Sequence, residues 1–141
     1  MKILIPVDDS DAARRATQHA VSLAADPAGI EVILLNVRSD PEYRGELTLR
    51  DYQLLDRAQR DAQQKLLARS LEHATQVGLK QVSTDAAQGM PADEIARIAQ
   101  EKGVDQIIMG THGRGAVGRL LLGSVAQRVI HLATMPVTVV K

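Results

Sequence analysis

The chain has 141 residues, an ordinary length for one domain, and its 45% apolar and 24% charged content excludes a disordered tail or a collagen-like fibre. Two Tyr are its only aromatic residues and it has no Cys. That argues against stacking platforms for single-stranded nucleic acid and excludes disulfides, thiolate catalysis and Cys-based zinc sites. The net charge is zero, yet no Asp or Glu follows Asp105, so residues 106–141 carry +4 and residues 1–105 carry −4. Such asymmetry can mark an anion-binding end, or arise by chance in a short window.

Ile3-Leu4-Ile5-Pro6-Val7 is a short apolar run bounded by Asp8-Asp9-Ser10-Asp11, the chemistry of a helix start. The spacing of Ala13, Ala16, Ala20, Leu23 and Ala24 predicts a helix over residues 11–25, stopped by Asp26-Pro27-Ala28-Gly29. Residues 32–37 form a near-continuous apolar run, as in a strand covered on both faces. Residues 38–50 show no period and read as a long loop. Leu55, Ala58, Ala62, Leu66, Leu67, Leu71 and Ala74 predict a helix over residues 51–77, with Gly78 suited to its C-terminal cap. A weakly patterned third strand falls at residues 81–86. Gly89-Met90-Pro91-Ala92-Asp93-Glu94 reads as a turn, then Pro and two acids in a helix's first turn; that helix ends at Lys102-Gly103. Residues 106–109 make a fourth strand and residues 110–123 a Gly-rich run. Ser124 opens a last helix ending near Ala133, and residues 136–140 make a fifth strand.

Strands alternating with helices imply right-handed crossovers, a mostly parallel sheet and helices on both of its faces. Ligands of such sheets sit beyond the strands' C-terminal ends, where the strand order reverses. Met1-Lys2-Ile3 runs straight into the first strand with no cleavable signal pattern, and the apolar stretches fall short of the roughly 18 residues that span a bilayer. A cytoplasmic protein without membrane insertion is the expectation.

The richest segment is Gly110-Thr111-His112-Gly113-Arg114-Gly115-Ala116-Val117-Gly118-Arg119-Leu120-Leu121-Leu122-Gly123-Ser124. It leaves a strand and enters a helix, whose free N–H groups and dipole favour phosphate. Its glycines let backbone approach a ligand closely, and Arg114 and Arg119 add positive charge. A connector ending in a capped helix is the bland alternative. Residues 118–124 have P-loop spacing but lack the Lys, and Gly113-x-Gly115-x-x-Gly118 matches the dinucleotide pattern without an acidic residue about 20 positions on. Asp8 could accept hydrogen bonds from a ribose or cap the helix with Asp9, Ser10 and Asp11. His112 could donate to a phosphate or face solvent. His19, His73 and His131 fall on predicted helices, and four scattered His without Cys give no protein-only metal site.

Gly110-x2-Gly113-x9-Gly123-Ser124 resembles the signature of the ATP-binding branch of the universal stress protein family. Ile5-Pro6-Val7-Asp8-Asp9-Ser10, Leu34-Leu35-Asn36-Val37, Gly89-Met90-Pro91-Ala92-Asp93-Glu94-Ile95 and Pro136-Val137-Thr138-Val139-Val140 resemble other segments of that family. The resemblance covers residues 2–141 and is weakest over residues 38–88. It implies adenine and ribose against Pro6, Val7, Asp8 and Val37. It implies phosphates along Met109, Gly110, His112, Gly113, Arg114 and Gly115, closing on Gly123, Ser124 and Val125. It also implies homodimers formed through the last strand.

The resulting expectation is a single α/β domain over residues 1–141. It is a three-layer sandwich whose five-stranded, mainly parallel open sheet has the order 3-2-1-4-5. Its function is expected to be an ATP-binding regulatory or stress-response module that signals through its nucleotide state to a protein partner, with at most slow hydrolysis. A Mg²⁺ ion can accompany the phosphates. An ATP-hydrolysing or adenylate-forming enzyme is the alternative; it would need Asp8 or Asp9 to reach the phosphates, residues 106–141 offering only His112 and His131 as acid or base. A phospho-receiver switch built on Asp8-Asp9 would want a phosphorylatable Asp85 and leaves the Gly-rich run without a purpose.

Overall fold

The computed structural model describes residues 1–40, 45, 47–112 and 122–141. Its elements are β1 (Lys2–Pro6), α1 (Asp11–Ser22), a 3-10 turn (Pro27–Gly29), β2 (Glu31–Arg38), α2 (Leu49–Gln76), β3 (Gln81–Gln88), α3 (Pro91–Glu101), β4 (Gln106–Gly110), α4 (Ser124–Leu132) and β5 (Val137–Val140). The strands form one sheet in the expected order β3-β2-β1-β4-β5, and every neighbouring pair is parallel, as the alternation of elements implies. Lys2 pairs with Glu31, Ile3 with Gln106 and Ile107 with Val137.

Strand alternation divides the apolar residues between two cores. Ile3 and Ile5 join Val32, Leu34 and Ile108 under α1 and α2, against Ala13, Ala16, Ala20, Leu67 and Ala74. Leu4 joins Ile33, Leu35, Ile107 and Met109 under α3 and α4, against Ile95, Ile98, Ala99, Ala126 and Val129. β1 has both faces covered, so Ile3, Leu4 and Ile5 are all fully buried. The alanines of α1 let it approach the sheet closely: a Cβ on Gly110 would stand 2.5 Å from the Ala12 Cβ and 2.8 Å from its carbonyl carbon.

Helix ends follow local chemistry. The Ser10 hydroxyl accepts the Ala13 N–H at 3.1 Å and caps α1. Thr48 and Asp51 form a reciprocal capping box at the start of α2, and Asp51 is held below its ordinary pKa by the Thr48 hydroxyl and then the Thr48 N–H. Gly78, at φ +107°, follows the end of that helix. The structure ends α1 at Ser22, three residues before the apolar spacing does, because Leu23 is exposed and Asp26 opens the 3-10 turn into β2. β3 extends to Gln88, and its many exposed positions explain its weak pattern: it is an edge strand. No helix among the described residues is long and apolar enough to cross a membrane.

Candidate functional site

From β1 the chain builds outward to β2 and β3, then returns to add β4 on the other side, so the order reverses between β1 and β4. α1 leaves toward one face and α4 toward the other, and the two connections diverge to leave a crevice. A cavity of about 460 Å³ opens there. Pro6, Val7, Leu35, Val37, Ile95 and Met109 supply apolar wall, while Asp8, Ser10, His112 and Ser124 supply polar groups.

Ten of the thirteen residues expected at the site line this cavity: Pro6, Val7, Asp8, Val37, Met109, Gly110, His112, Gly123, Ser124 and Val125. Gly113, Arg114 and Gly115 lie outside the described residues, as do Gly118 and Arg119. Asn36, Ser10, Ala13, Pro91 and Ala126 also line it and were missed. The signal for Asn36 was present, a lone polar residue inside an otherwise apolar strand.

The acidic turn after β1 splits its two carboxylates. Asp8 faces the crevice and accepts the Ser10 N–H at 3.1 Å, so it braces the turn while Ser10 caps the helix. Asp9 faces the groove between α1 and α2, where Arg69 and Arg14 approach its oxygens at 3.0 and 3.3 Å. Burial pushes the Asp9 carboxyl up, but hydrogen bonds and charge from Arg69 and Arg14 outweigh it and hold it below its ordinary value.

The Gly-rich segment is pinched at its base, because the Gly123 N–H donates to the Thr111 carbonyl at 2.8 Å. Gln127 adds a bond from Nε2 to the Leu122 carbonyl at 2.7 Å. Gly123, not Ser124, is the N-cap of α4, and no side chain among the described residues caps it. The first N–H groups of α4, from Ser124 to Ala126, therefore open on the crevice. A Cβ at Gly123 would meet the Thr111 oxygen at 3.0 Å, so a side chain there would press on this closure. Gly110 is demanded by the packing of α1.

The His112 Nδ1 lies 2.9 Å from the Thr111 hydroxyl, and its Nε2 is buried with no hydrogen-bond partner among the described residues. An unsatisfied buried polar atom costs roughly 1–3 kcal/mol, so it wants a partner; the His73 Nε2, in the groove between α1 and α2, is in the same position among the described residues. On the far wall Arg128 grips both oxygens of Asp93 at 3.0 and 3.1 Å, tying α4 to the first turn of α3. That hydrogen bonding holds the Asp93 carboxyl below its ordinary value. An apolar slot, a polar rim and an uncapped helix N-terminus suit a flat heterocycle carrying an anionic tail.

The fold and the crevice define a doubly wound α/β protein with an open cavity at its switch point. Residues 1–141 match the universal stress protein family, and the chain belongs to it. Universal stress protein MJ0531 of Methanocaldococcus jannaschii is 36% identical over 140 residues, which are 99% of this chain and 81% of that protein. The solved structure of MJ0577, from the same organism, is 36% identical and superposes with a TM-score of 0.80, covering 99% of this chain and 94% of that one. The universal stress protein from Archaeoglobus fulgidus, solved in complex with dAMP, is 25% identical with a TM-score of 0.68, covering 100% of this chain and 98% of that one.

Proposed function

We propose that the crevice binds an adenine nucleotide, ATP in the first place, and that the protein is a regulatory stress-response module acting through its nucleotide state. One observation carries the reading: the start of α4 and His112, whose buried Nε2 has no hydrogen-bond partner among the described residues, line the same cavity at the switch point. The dAMP complex of the Archaeoglobus fulgidus relative supports it. Base and ribose lie against Pro6, Val7, Asp8 and Val37, with Asp8 accepting from ribose hydroxyls. The phosphates run along Met109, Gly110 and His112, with Gly113, Arg114 and Gly115 completing the cradle, and close on Gly123, Ser124 and Val125. A cavity of about 460 Å³ falls within the range of small-ligand sites. A Mg²⁺ ion accompanies the phosphates, held mainly by them and by water.

Hydrolysis is slow at most, and the nucleotide state is read by a protein partner in the cytoplasm. A homodimer through β5 belongs to the same proposal, because Val137–Val140 is an apolar edge strand left half-buried. Light scattering should give twice the chain mass; a monomer at micromolar concentration removes the dimer. The function is tested by titrating the protein with ATP and magnesium in a calorimeter while product formation is followed. Stoichiometric binding with little product is expected. Absence of heat with millimolar ATP and AMP overturns the reading, and turnover on the order of once per second would replace it with an enzyme.

A further inference from the structure

Two side chains of α2 act on the turn after β1, Arg69 directly and Gln63 by way of Asn36 on β2, and neither lines the crevice. Gln63, only 6% exposed, shares its Nε2 hydrogens among the Asn36 Oδ1 at 3.0 Å, the Asn36 carbonyl at 2.9 Å and the Ala87 carbonyl at 3.0 Å. Asn36 passes the restraint on, its Nδ2 donating to the Val7 carbonyl at 2.7 Å. Arg69 stands six residues further along the helix, about 9 Å along its axis. Its Nη2 lies 3.0 Å from the Asp9 Oδ2. Val7 and Asp9 are thus both held from α2, and Asp8 between them faces the crevice. Asp9 has φ +67°, the one positive value recorded for a non-glycine residue among the described residues. That left-handed conformation costs about 1 kcal/mol or more and persists only where its surroundings impose it.

We propose that α2 positions the turn for the nucleotide: Gln63 through Asn36, and Arg69 through Asp9, fix residues 7–9 in the conformation that presents Asp8 to the ligand. The proposal rests on the adenine-nucleotide reading of the crevice. Gln63 and Arg69 are positioning residues, since each acts through another side chain. α2 buries Gln63, Leu67 and Ala74, with Leu66 and Leu71 packed beside them, so a polar side chain, Gln63, is among the few it buries and connects through Asn36 to the site. Arg14 on α1 also approaches Asp9, at 3.3 Å, so losing Arg69 weakens that hold without abolishing it, and losing either tether lets the turn sample other conformations more often. The apparent Kd then rises in inverse proportion to the fraction of molecules that keep the competent one.

The test compares Gln63→Met, Arg69→Met and Arg69→Lys with the parent protein. The Kd values for AMP and ATP are measured by calorimetry, and amide exchange at Ser10 is measured in the free protein. Arg69 is half exposed, so its variants fold even if Gln63→Met does not. Arg69→Met should raise both Kd values roughly tenfold, as when the competent fraction falls to about a tenth. It should also speed exchange of the Ser10 amide that Asp8 holds, with Arg69→Lys recovering part of both effects. Parent-like Kd values within about twofold in the Met variants overturn the proposal while leaving nucleotide binding intact. A parent protein that binds neither nucleotide overturns both.

Discussion

Adding one methyl group at Gly110 tests the packing on which the crevice depends. An ideal Cβ there lies 2.5 Å from the Ala12 Cβ, 2.8 Å from the Ala12 carbonyl carbon and 3.0 Å from its oxygen. Carbon atoms settle at about 3.5–4.0 Å, so α1 must retreat from β4 by about 1 Å. Two of the three obstructing atoms are backbone, which no rotamer change can move. Overpacking of this kind costs roughly 1–3 kcal/mol, and Gly110→Ala should therefore lower Tm by up to about 10 °C. Ser10 and Ala13 ride on the same helix start and line the crevice, so ligand affinity should fall as well. Thermal and urea denaturation measure the first effect, with Gly29→Ala as control because nothing lies within 4 Å of a Cβ there. Adding Ala12→Gly removes the 2.5 Å contact and leaves the two backbone ones, so a double-mutant cycle should show partial rescue. A Gly110→Ala protein as stable as its parent refutes the reasoning.

Replacing His112 by Ala should weaken ATP by about tenfold and adenosine far less, since its Nε2 is proposed to donate to a phosphate; equal losses for both ligands contradict that role. Asp56 is held below the ordinary 3.8 by its hydrogen bond to Arg38, Asp93 by Arg128, and Asp9 by Arg69 and Arg14 against the effect of burial. Their folded pKa values are depressed, so their stabilisation is complete above pH 3.8 and is lost as pH falls through the folded values. Tm should therefore drop below about pH 4, less steeply in Asp56→Asn, and a Tm independent of pH there speaks against these pairs. Thr48→Ala removes half of the capping box and should cost about 1 kcal/mol by urea denaturation; no loss means that the first turn of α2 contributes nothing.

The alternation of apolar runs with capped, helix-period segments carried the layer order, because β1, β2 and β4 are covered on both faces and their buried residues are accordingly apolar, Asn36 excepted. Where a strand is exposed, as β3 is, periodicity weakened and its end was placed two residues short. The Gly-rich spacing located the crevice, yet it could not say why two of its glycines are there. Gly110 answers to Ala12, nearly a hundred residues earlier, and Gly123 to the Thr111 carbonyl. The acidic turn was legible as a cluster but not as a division of labour. Only the folded chain sends Asp8 to the cavity and Asp9 to Arg69 on a helix sixty residues away. The pairing of Gln63 with Asn36 was invisible for the same reason, since no local pattern pairs a helix residue with a strand residue 27 positions before it.

Adenine-nucleotide binding in the switch-point crevice is tested most directly by an amide chemical-shift titration of the protein with ATP. The perturbed amides should cluster at Val7, Asp8, Val37, His112, Ser124 and Val125, saturating at one nucleotide per chain. Saturating shifts confined to the groove of Arg14, Arg69 and His73, or no shifts at all, would contradict it.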